Sequence, residues 1–395
     1  MEVSGIGKKA ADTRLLVHHH VVAFRDGEKI YVQSFIGAWV QELSKHFAEV
    51  GLLFQESNER LPQQDYLVES ENIKLISLGA YNRSDRAARN EFIRRTCREV
   101  SPGFDVLAIR GITPKQMLVY NACKVPSKVF LLVGSIVDAR PKFKMDRIGF
   151  ITWVYFWRRL YQLKKISRGS LVLANSPKIV SELRERMGIL SGFVPTNTVT
   201  KAHAVDFQVR PVRSKPELLF CGRIVPEKGI EELLMSVKIL KSRGIICRLT
   251  VIGKSDGTYG RHLQALCTSY DIHEQVKFEG YIAFGDVLLD YYRRSDLYIL
   301  PSWHEGFPHS IWEAAVSCTP VIVTKVGGIP GVVSEKEVSF IRTKDPEHIA
   351  EVVERLMTNT ALRKDQVKAA YDLAMEYTLE QCARRFACAL EQNNR

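Results

Sequence analysis

The sequence predicts an α/β protein built of two parallel-sheet domains, and three observations carry that prediction. Short β-branched runs alternate with helical patterns along most of the 395 residues, which is the signature of βαβ units. The alternation pauses between Pro195 and Pro216, where three prolines (Pro195, Pro211, Pro216) stand among mixed polar residues, and then restarts. Such a stretch reads as an interdomain linker. From Pro346 onward the pattern is helical throughout. At ~100–200 residues per domain the length fits two domains, each able to bury its own core.

In the first half, strands are expected at 14–18, 50–54, 73–77, 106–109, 129–133 and 171–174, with helices at 37–47, 85–100 and 177–187. After the linker, strands are expected at 218–221, 247–252, 276–278, 297–300 and 321–324. The helices between them fall at 230–242, 261–270, 286–294 and 311–317. The expected boundaries are an N-terminal domain of residues 1–200, a C-terminal domain of 201–375 and a terminal helix over 376–395. Two such domains create a cleft, and parallel sheets bind ligands beyond the carboxyl ends of their strands. Motifs lying just after strands are therefore the ones to read.

Composition narrows the class. With 46% hydrophobic and 25% charged residues, the chain is an ordinary globular protein. Eight cysteines stand at 97, 123, 221, 247, 267, 318, 382 and 388, none in a C-x-x-C pair, so zinc and redox motifs are not expected. Cys221, Cys247 and Cys318 lie in apolar runs, as small core residues do. Free cysteines fit a reducing compartment. The N-terminus lacks the apolar core of a signal peptide and no apolar stretch reaches a membrane span, so a cytoplasmic location is expected.

The net charge of +12 is uneven: residues 140–168 hold nine Lys or Arg against the single Asp146. Six aromatics, Phe150, Trp153, Tyr155, Phe156, Trp157 and Tyr161, overlap this segment. Phe150, Trp153, Trp157 and Leu160 recur at helical spacing, while Arg147, Arg158 and Lys165 share another face. The pattern suits a helix lying in an anionic membrane interface, with Trp153, Trp157, Arg158 and Arg159 as contacts. It equally suits a core helix with solvated cations. No nucleic-acid motif accompanies it, and no nucleic-acid partner is expected.

Three motifs follow C-terminal strands. In Gly222-Arg223-Ile224-Val225-Pro226-Glu227-Lys228-Gly229 two cations stand five residues apart before a helix. Arg offers a planar fork and Lys a compact charge, a pair suited to a diphosphate, although two solvated loop cations would look the same. In Pro301-Ser302-Trp303-His304-Glu305-Gly306-Phe307-Pro308-His309-Ser310-Ile311-Trp312-Glu313, two glutamates stand eight apart across a loop and a helix start. Free amides at that start suit phosphate or sugar oxygens, and a carboxylate can bind a ribose diol. Ser310-Ile311-Trp312-Glu313 is also a capping box, in which Glu313 would serve only its own helix. In Val326-Gly327-Gly328-Ile329-Pro330, paired glycines permit close backbone approach to a ligand, or simply make a turn.

The order and spacing of these motifs over residues 218–333 closely resemble the C-terminal domain of the family-four retaining glycosyltransferases, the glycosyl transferases group 1. The matching residues are Gly222-Arg223, Lys228-Gly229, Phe278-Glu279-Gly280, Pro301-Ser302, the Glu305/Glu313 pair and Gly327-Gly328. The resemblance implies the GT-B fold, two Rossmann-like domains facing across a cleft with C-terminal helices crossing back. It implies a sugar moved from a nucleoside diphosphate sugar (UDP- or GDP-sugar) to an acceptor hydroxyl with retained configuration. Arg223 and Lys228 are implied to bind the donor diphosphate and Glu313 the ribose. Glu305 lies beside the donor sugar, and the backbone near Tyr281 and Ile282 holds the base. Gly306, Phe307, Pro308, His309 and Ser310 complete the donor loop, and Glu305, Arg223 and Lys228 form the catalytic set. Glycan or lipid-linked acceptors are the partners implied.

No cofactor or metal is expected, because two cations and a helix start can offset the charge on the leaving group. The His18-His19-His20 run does not alter this, since neighbouring strand residues point to opposite faces. The chain departs from the family where Gly331 replaces a frequent acidic residue, and where Gly134-Ser135 follows the strand that usually precedes a histidine. It also lacks the family's glycine-rich loop after the first strand. Arg110, Gly134 and Ser135 are the acceptor-side candidates. The same clamp would serve a sugar-nucleotide epimerase or phosphorylase of this fold, and a non-catalytic membrane binder would use residues 140–168 alone.

Overall fold

The computed structural model describes residues 9–81, 85–132, 147–255 and 257–392, apart from the side chains of 147–152, 155 and 156. The chain divides into two compact units, one of residues 1–198 and 379–395, the other of residues 199–378.

The first unit runs β1 (Arg14–Asp26), β2 (Lys29–Val32), α1 (Ser34–Ser44), β3 (Glu49–Glu56), β4 (Tyr66–Val68), β5 (Ile73–Ala80), α2 (Arg86–Val100), β6 (Val106–Arg110), α3 (Pro114–Ala122), β7 (Ser127–Leu132), α4 (Arg147–Ile166), β8 (Leu171–Ala174), α5 (Pro177–Met187) and β9 (Gly192–Phe193). The parallel core is ordered β5-β3-β1-β6-β7-β8-β9. Its inner strands are near-continuous apolar runs, such as Leu52-Leu53-Phe54 and Val106-Leu107-Ala108-Ile109, as strands covered on both faces must be.

The first strand differs from expectation. It was read as 14–18 but extends to Asp26, because Val21-Val22-Ala23-Phe24 continues the β-branched and aromatic run. Its pairing with β3 shifts register between His18 and Val22 and resumes at Val22 and Ala23, and its last three residues, Phe24 to Asp26, pair with β2. Asp26 pairs with Lys29, so Gly27 and Glu28 form a two-residue hairpin loop, and Gly27 takes the positive φ (58°) that such a loop requires. A hairpin therefore stands where the family's glycine-rich loop was missing.

The second unit runs β10 (Glu217–Cys221), α6 (Ile230–Ser242), β11 (Arg248–Ile252), α7 (Thr258–Ser269), β12 (Val276–Gly280), α8 (Asp286–Arg294), β13 (Leu297–Leu300), α9 (Ser310–Val316), β14 (Val321–Thr324), β15 (Ser339–Ile341), α10 (Pro346–Thr358) and α11 (Thr360–Glu376). Its six strands are all parallel in the order β12-β11-β10-β13-β14-β15.

The last helix, α12 (Leu379–Gln392), belongs to the first unit. Leu379, Cys382, Ala383, Phe386, Ala387 and Leu390 form one buried face at helical spacing. Phe386 packs edge-on against Trp39, ring centroids 5.7 Å apart, and Glu391 accepts the Ala10 backbone N–H at 2.7 Å. The chain end thus crosses back to the N-terminal unit, as the GT-B resemblance implies. Among the described residues no helix is long and apolar enough to cross a membrane.

Candidate functional site

In the second unit the chain builds outward from β10 through β11 to β12, then returns to β13 on the other side of β10. The strand order therefore reverses between β10 and β13, and ligands of open parallel sheets bind beyond the carboxyl ends at such a reversal. The loops that leave these two strands are those carrying Arg223/Lys228 and Glu305. They are joined by backbone: the Trp303 N–H donates to the Glu227 carbonyl at 2.8 Å. The loop after β14 joins them through the Gly328 N–H, which donates to Gly306 O at 2.8 Å.

Two glycines make this approach possible. Gly229 has φ 68°, and a Cβ there would fall 2.2 Å from the Pro301 carbonyl oxygen. Gly327 has φ 58°, and a Cβ there would fall 1.7 Å from the carbonyl oxygen of Glu305. Both positions require glycine for conformation and for space. The paired-glycine motif therefore packs against the Glu305 backbone as well as making a turn.

Within this frame Lys228 and Glu305, 77 residues apart in sequence, form an ion pair. Their side chains are only 13% and 10% exposed. The Glu305 carboxylate also accepts the Ser302 hydroxyl at 2.7 Å, so it holds the ammonium from one side. Arg223, on the same loop, is exposed and makes no ion pair with the described residues. One cation is thus fixed and the other is free to close on a ligand.

Glu313 resolves the capping question. Helix α9 begins at Ser310 with His309 as its N-cap, and no side chain caps it. The amides of Ile311, Trp312 and Glu313 are already bonded to the Pro308 and His309 carbonyls, so this start offers fewer amides than the motif implied. The capping box is not formed. The buried Glu313 carboxylate instead accepts the Tyr292 hydroxyl at 2.8 Å. Burial pushes its pKa up to about 7, and the Tyr292 hydrogen bond opposes that rise only in part.

The remaining donor-side candidates follow β12 and β13. Tyr281 follows Gly280 at the end of β12 and is 59% exposed, while Ile282 packs on the core. The half-buried Phe307 ring lies 4.9 Å from Trp312, which in turn stacks on Tyr377 at 5.2 Å. These aromatics hold the Gly306-to-Ser310 loop on α9. Reading of the sequence missed Gly253 and Tyr292. Gly253 packs on the Gly222 carbonyl oxygen, where a Cβ would fall 1.8 Å away. Tyr292 lies on α8, 21 residues before its partner Glu313, and carries no motif of its own.

On the N-terminal unit, Arg110 ends β6 with its guanidinium 5.2 Å from the Phe35 ring centroid, and burial lowers its pKa to about 10. His19 packs edge-on against the same Phe35 at 5.6 Å, while His18 is buried on the strand beside it. The His18 Nδ1–H donates to the Leu53 carbonyl at 2.7 Å, and burial pushes its pKa down to about 4. The triplet forms no metal cluster among the described residues. Gly134, Ser135 and residues 140–146 lie outside the described residues.

Helix α4 is anchored at its C-terminal end, where Leu163 and Ile166 enter the core. Trp153 and Trp157 pack edge-on, ring centroids 6.1 Å apart, and Arg159 is half-buried. Val154, Trp157 and Tyr161 are exposed, the last by 72%, and Arg158 is exposed beside them. The expected apolar face is therefore only partly covered: Trp157, counted in it, faces solvent.

Residues 204–373 match the model of the family described as glycosyl transferases group 1. An uncharacterized glycosyltransferase of Methanocaldococcus jannaschii is 31% identical over 170 residues, covering 42% of each chain. The chain spans 42%, 48% and 64% of the length of three curated relatives that it matches. Among solved structures, sucrose-phosphate synthase from Thermosynechococcus elongatus superposes with a TM-score of 0.72 at 17% identity, over 96% of this chain and 98% of that one. Anabaena HepE in complex with UDP-glucose superposes with a TM-score of 0.68 at 15% identity, over 96% of this chain and all of that one. At these identities the superpositions speak for the fold alone, which is GT-B.

Proposed function

We propose, from the match of residues 204–373 to the family described as glycosyl transferases group 1, that the protein moves a sugar from a nucleoside diphosphate sugar to an acceptor hydroxyl, with retention of configuration. The observation that carries this reading is the Lys228–Glu305–Ser302 cluster, set by backbone contacts at the strand-order reversal beside the free Arg223. In the proposed reaction the bond between the anomeric carbon and the diphosphate breaks as the bond to the acceptor oxygen forms, and the acceptor hydroxyl's proton passes to the departing diphosphate. Negative charge then develops on the leaving diphosphate. Lys228, held by its ion pair with Glu305, meets that charge, and Arg223 closes over it as a bidentate fork. Glu305 lies beside the sugar, Glu313 takes the ribose diol from below, and the backbone at Tyr281 and Ile282 takes the base. The structure of HepE holding UDP-glucose supports a donor of this class.

The acceptor is a glycan or a lipid-linked saccharide met from the N-terminal unit, where Arg110 lies. The exposed Val154, Trp157, Tyr161 and Arg158 on α4 favour a helix that rests reversibly on an anionic membrane over a fully packed core helix. Amphipathic contact of this kind needs no spanning helix.

The test is thermal unfolding of the full chain with UDP or GDP in the presence of EDTA, since a ligand that binds the native state raises its stability. One of the two raises the melting temperature without added metal. Stabilisation that appears only with Mg²⁺ or Mn²⁺ would remove the cation clamp.

A further inference from the structure

The N-terminal unit carries a second cationic depression that none of the donor chemistry uses. A cavity of about 400 Å³ lies where α2 and α3 begin, lined by Arg86, Arg89, Asn90, Thr113, Lys115 and the apolar Leu118. Both helices start at the carboxyl ends of parallel strands, α2 after β5 and α3 after β6. The strand order of this sheet also reverses between β1 and β6, because β1 is followed by β3 and β5 on one side and by β6 and β7 on the other. The cavity therefore lies on the carboxyl-end side of this parallel sheet, beside the turn that leaves β6 at the reversal.

Its charge is unbalanced. Three cations face the cavity, and among the described residues no carboxylate lines it and none of the three makes an ion pair. The nearest acid in sequence, Asp85, is taken up as the N-cap of α2, accepting the Ala87 and Ala88 amides at 2.9 and 3.0 Å. Lys115 Nζ donates to the neutral side chain of Gln55, and burial together with the neighbouring Arg89 lowers its pKa. The Nε of Arg89 is buried without a hydrogen-bond acceptor. Like charges gathered around a half-enclosed space repel, and a buried donor left unbonded costs stability. An anion with several acceptor oxygens would relieve both. Two guanidinium forks and an ammonium fit a phosphate, whose oxygens accept in several directions at once, better than a single planar carboxylate.

We propose that this cavity binds a phosphoryl group, with Arg89 and Lys115 as its principal contacts, Arg86 closing from the rim, and Asn90 and Thr113 supplying neutral donors. Resting on the glycosyl-transfer reading, the acceptor is then a phosphorylated molecule, either a soluble phosphomonoester or the phosphate of a lipid carrier. The site specifies substrate and performs no chemistry.

The experiment is calorimetric titration of the full chain with inorganic phosphate and with glycerol 3-phosphate, in wild type and in Arg89→Gln, Lys115→Gln and Arg223→Ala. Charge-assisted bonds of this kind are worth about 10- to 100-fold each. Wild type saturates, Arg89→Gln and Lys115→Gln lose affinity on that scale, and Arg223→Ala keeps it. Arg89→Lys recovers part of the loss, which a merely structural role would not. Vesicles containing phosphatidic acid, compared with phosphatidylglycerol vesicles of equal surface charge, separate the two sources. Retention that depends on Arg89 only with phosphatidic acid assigns a lipid phosphate, and binding of glycerol 3-phosphate assigns a soluble one. Phosphate affinity that is the same in wild type, Arg89→Gln and Lys115→Gln, or that disappears with Arg223→Ala, overturns the proposal. Nucleoside diphosphate binding in the same variants is a separate readout. Its loss in wild type would sink the donor reading and leave this site standing.

Discussion

Glu313→Gln separates what this carboxylate contributes to binding from what it costs the fold. The side chain is buried, accepts the Tyr292 hydroxyl, and has its pKa raised from 4.5 to about 7 by desolvation. At 1.36 kcal/mol per pH unit, that rise means the ionised form is disfavoured in the folded state by about 3 kcal/mol. The sign follows from proton binding. Between 4.5 and 7 the folded state holds the proton that the unfolded state has released, so stability is present below 4.5 and is lost as pH rises through 7. Glutamine keeps the shape, still accepts from Tyr292 and carries no charge. The variant should therefore match wild type near pH 4.5 and exceed it at pH 8 by up to ~3 kcal/mol, about 6–12 °C in melting temperature for a domain of this size. Binding should move the other way. If the ribose diol donates to the ionised carboxylate, the affinity of wild type for a nucleoside diphosphate should rise about ten-fold from pH 6 to pH 8 beyond any change in the variant. The variant reports the titration of the ligand's own phosphate, which makes it the necessary reference. Differential scanning fluorimetry and calorimetry at four pH values measure both quantities, with Ser310→Ala as a control expected to keep the pH-dependent binding. Parallel pH profiles for wild type and Glu313→Gln would refute the ribose role, and a variant less stable than wild type at pH 8 would refute the burial argument.

The two cations should separate by their surroundings. Arg223→Ala should weaken nucleoside diphosphate binding about 10- to 100-fold with little change in melting temperature, since the side chain is exposed and unpaired among the described residues. Lys228→Ala should weaken binding similarly and also cost about 3–5 kcal/mol, because it leaves the mostly buried Glu305 carboxylate without its cation; Lys228→Met combined with Glu305→Gln should restore stability but not binding. Gly327→Ala should lower the melting temperature and abolish nucleotide binding together, because its Cβ would meet the Glu305 carbonyl oxygen; a variant with wild-type binding would show that the loops are not held by this contact. For α4, wild type should float with anionic vesicles at low salt and detach at high salt, at about 1 kcal/mol per basic residue near the surface. A variant with Trp153, Trp157, Arg158 and Arg159 changed to Ser or Gln should stay in solution and keep nucleotide binding, and a wild type that never floats would leave α4 as an oligomer or core contact.

Much of this protein is written in local pattern. The strands at Leu171–Ala174, Leu297–Leu300 and Val321–Thr324 and the helices at Ile230–Ser242 and Asp286–Arg294 match expectation to the residue. Each is a buried apolar run or an amphipathic repeat bounded by glycine, proline or charge, so period and punctuation suffice. The placement of the candidate donor motifs after parallel strands was legible because each lies in a short run contiguous with its strand in sequence. Short edge strands such as Tyr66–Val68, Gly192–Phe193 and Ser339–Ile341 were not, since a few residues become a strand only through the partner that bonds them. The length of β1 was hidden by its irregular register at His18–Val22. Periodicity alone could assign α4 an apolar face but could not say that Trp157 and Tyr161 would be left uncovered. Ser310-x-x-Glu313 satisfied the local rule for a capping box, and only the fold, by laying Tyr292 of α8 against Glu313, turned that carboxylate away from its own helix. The pairing of Lys228 with Glu305 and the reversal of strand order beside them are of the same kind. Residue type and spacing are properties of the chain, whereas the partner a buried charge finds depends on which distant segments the sheet brings together.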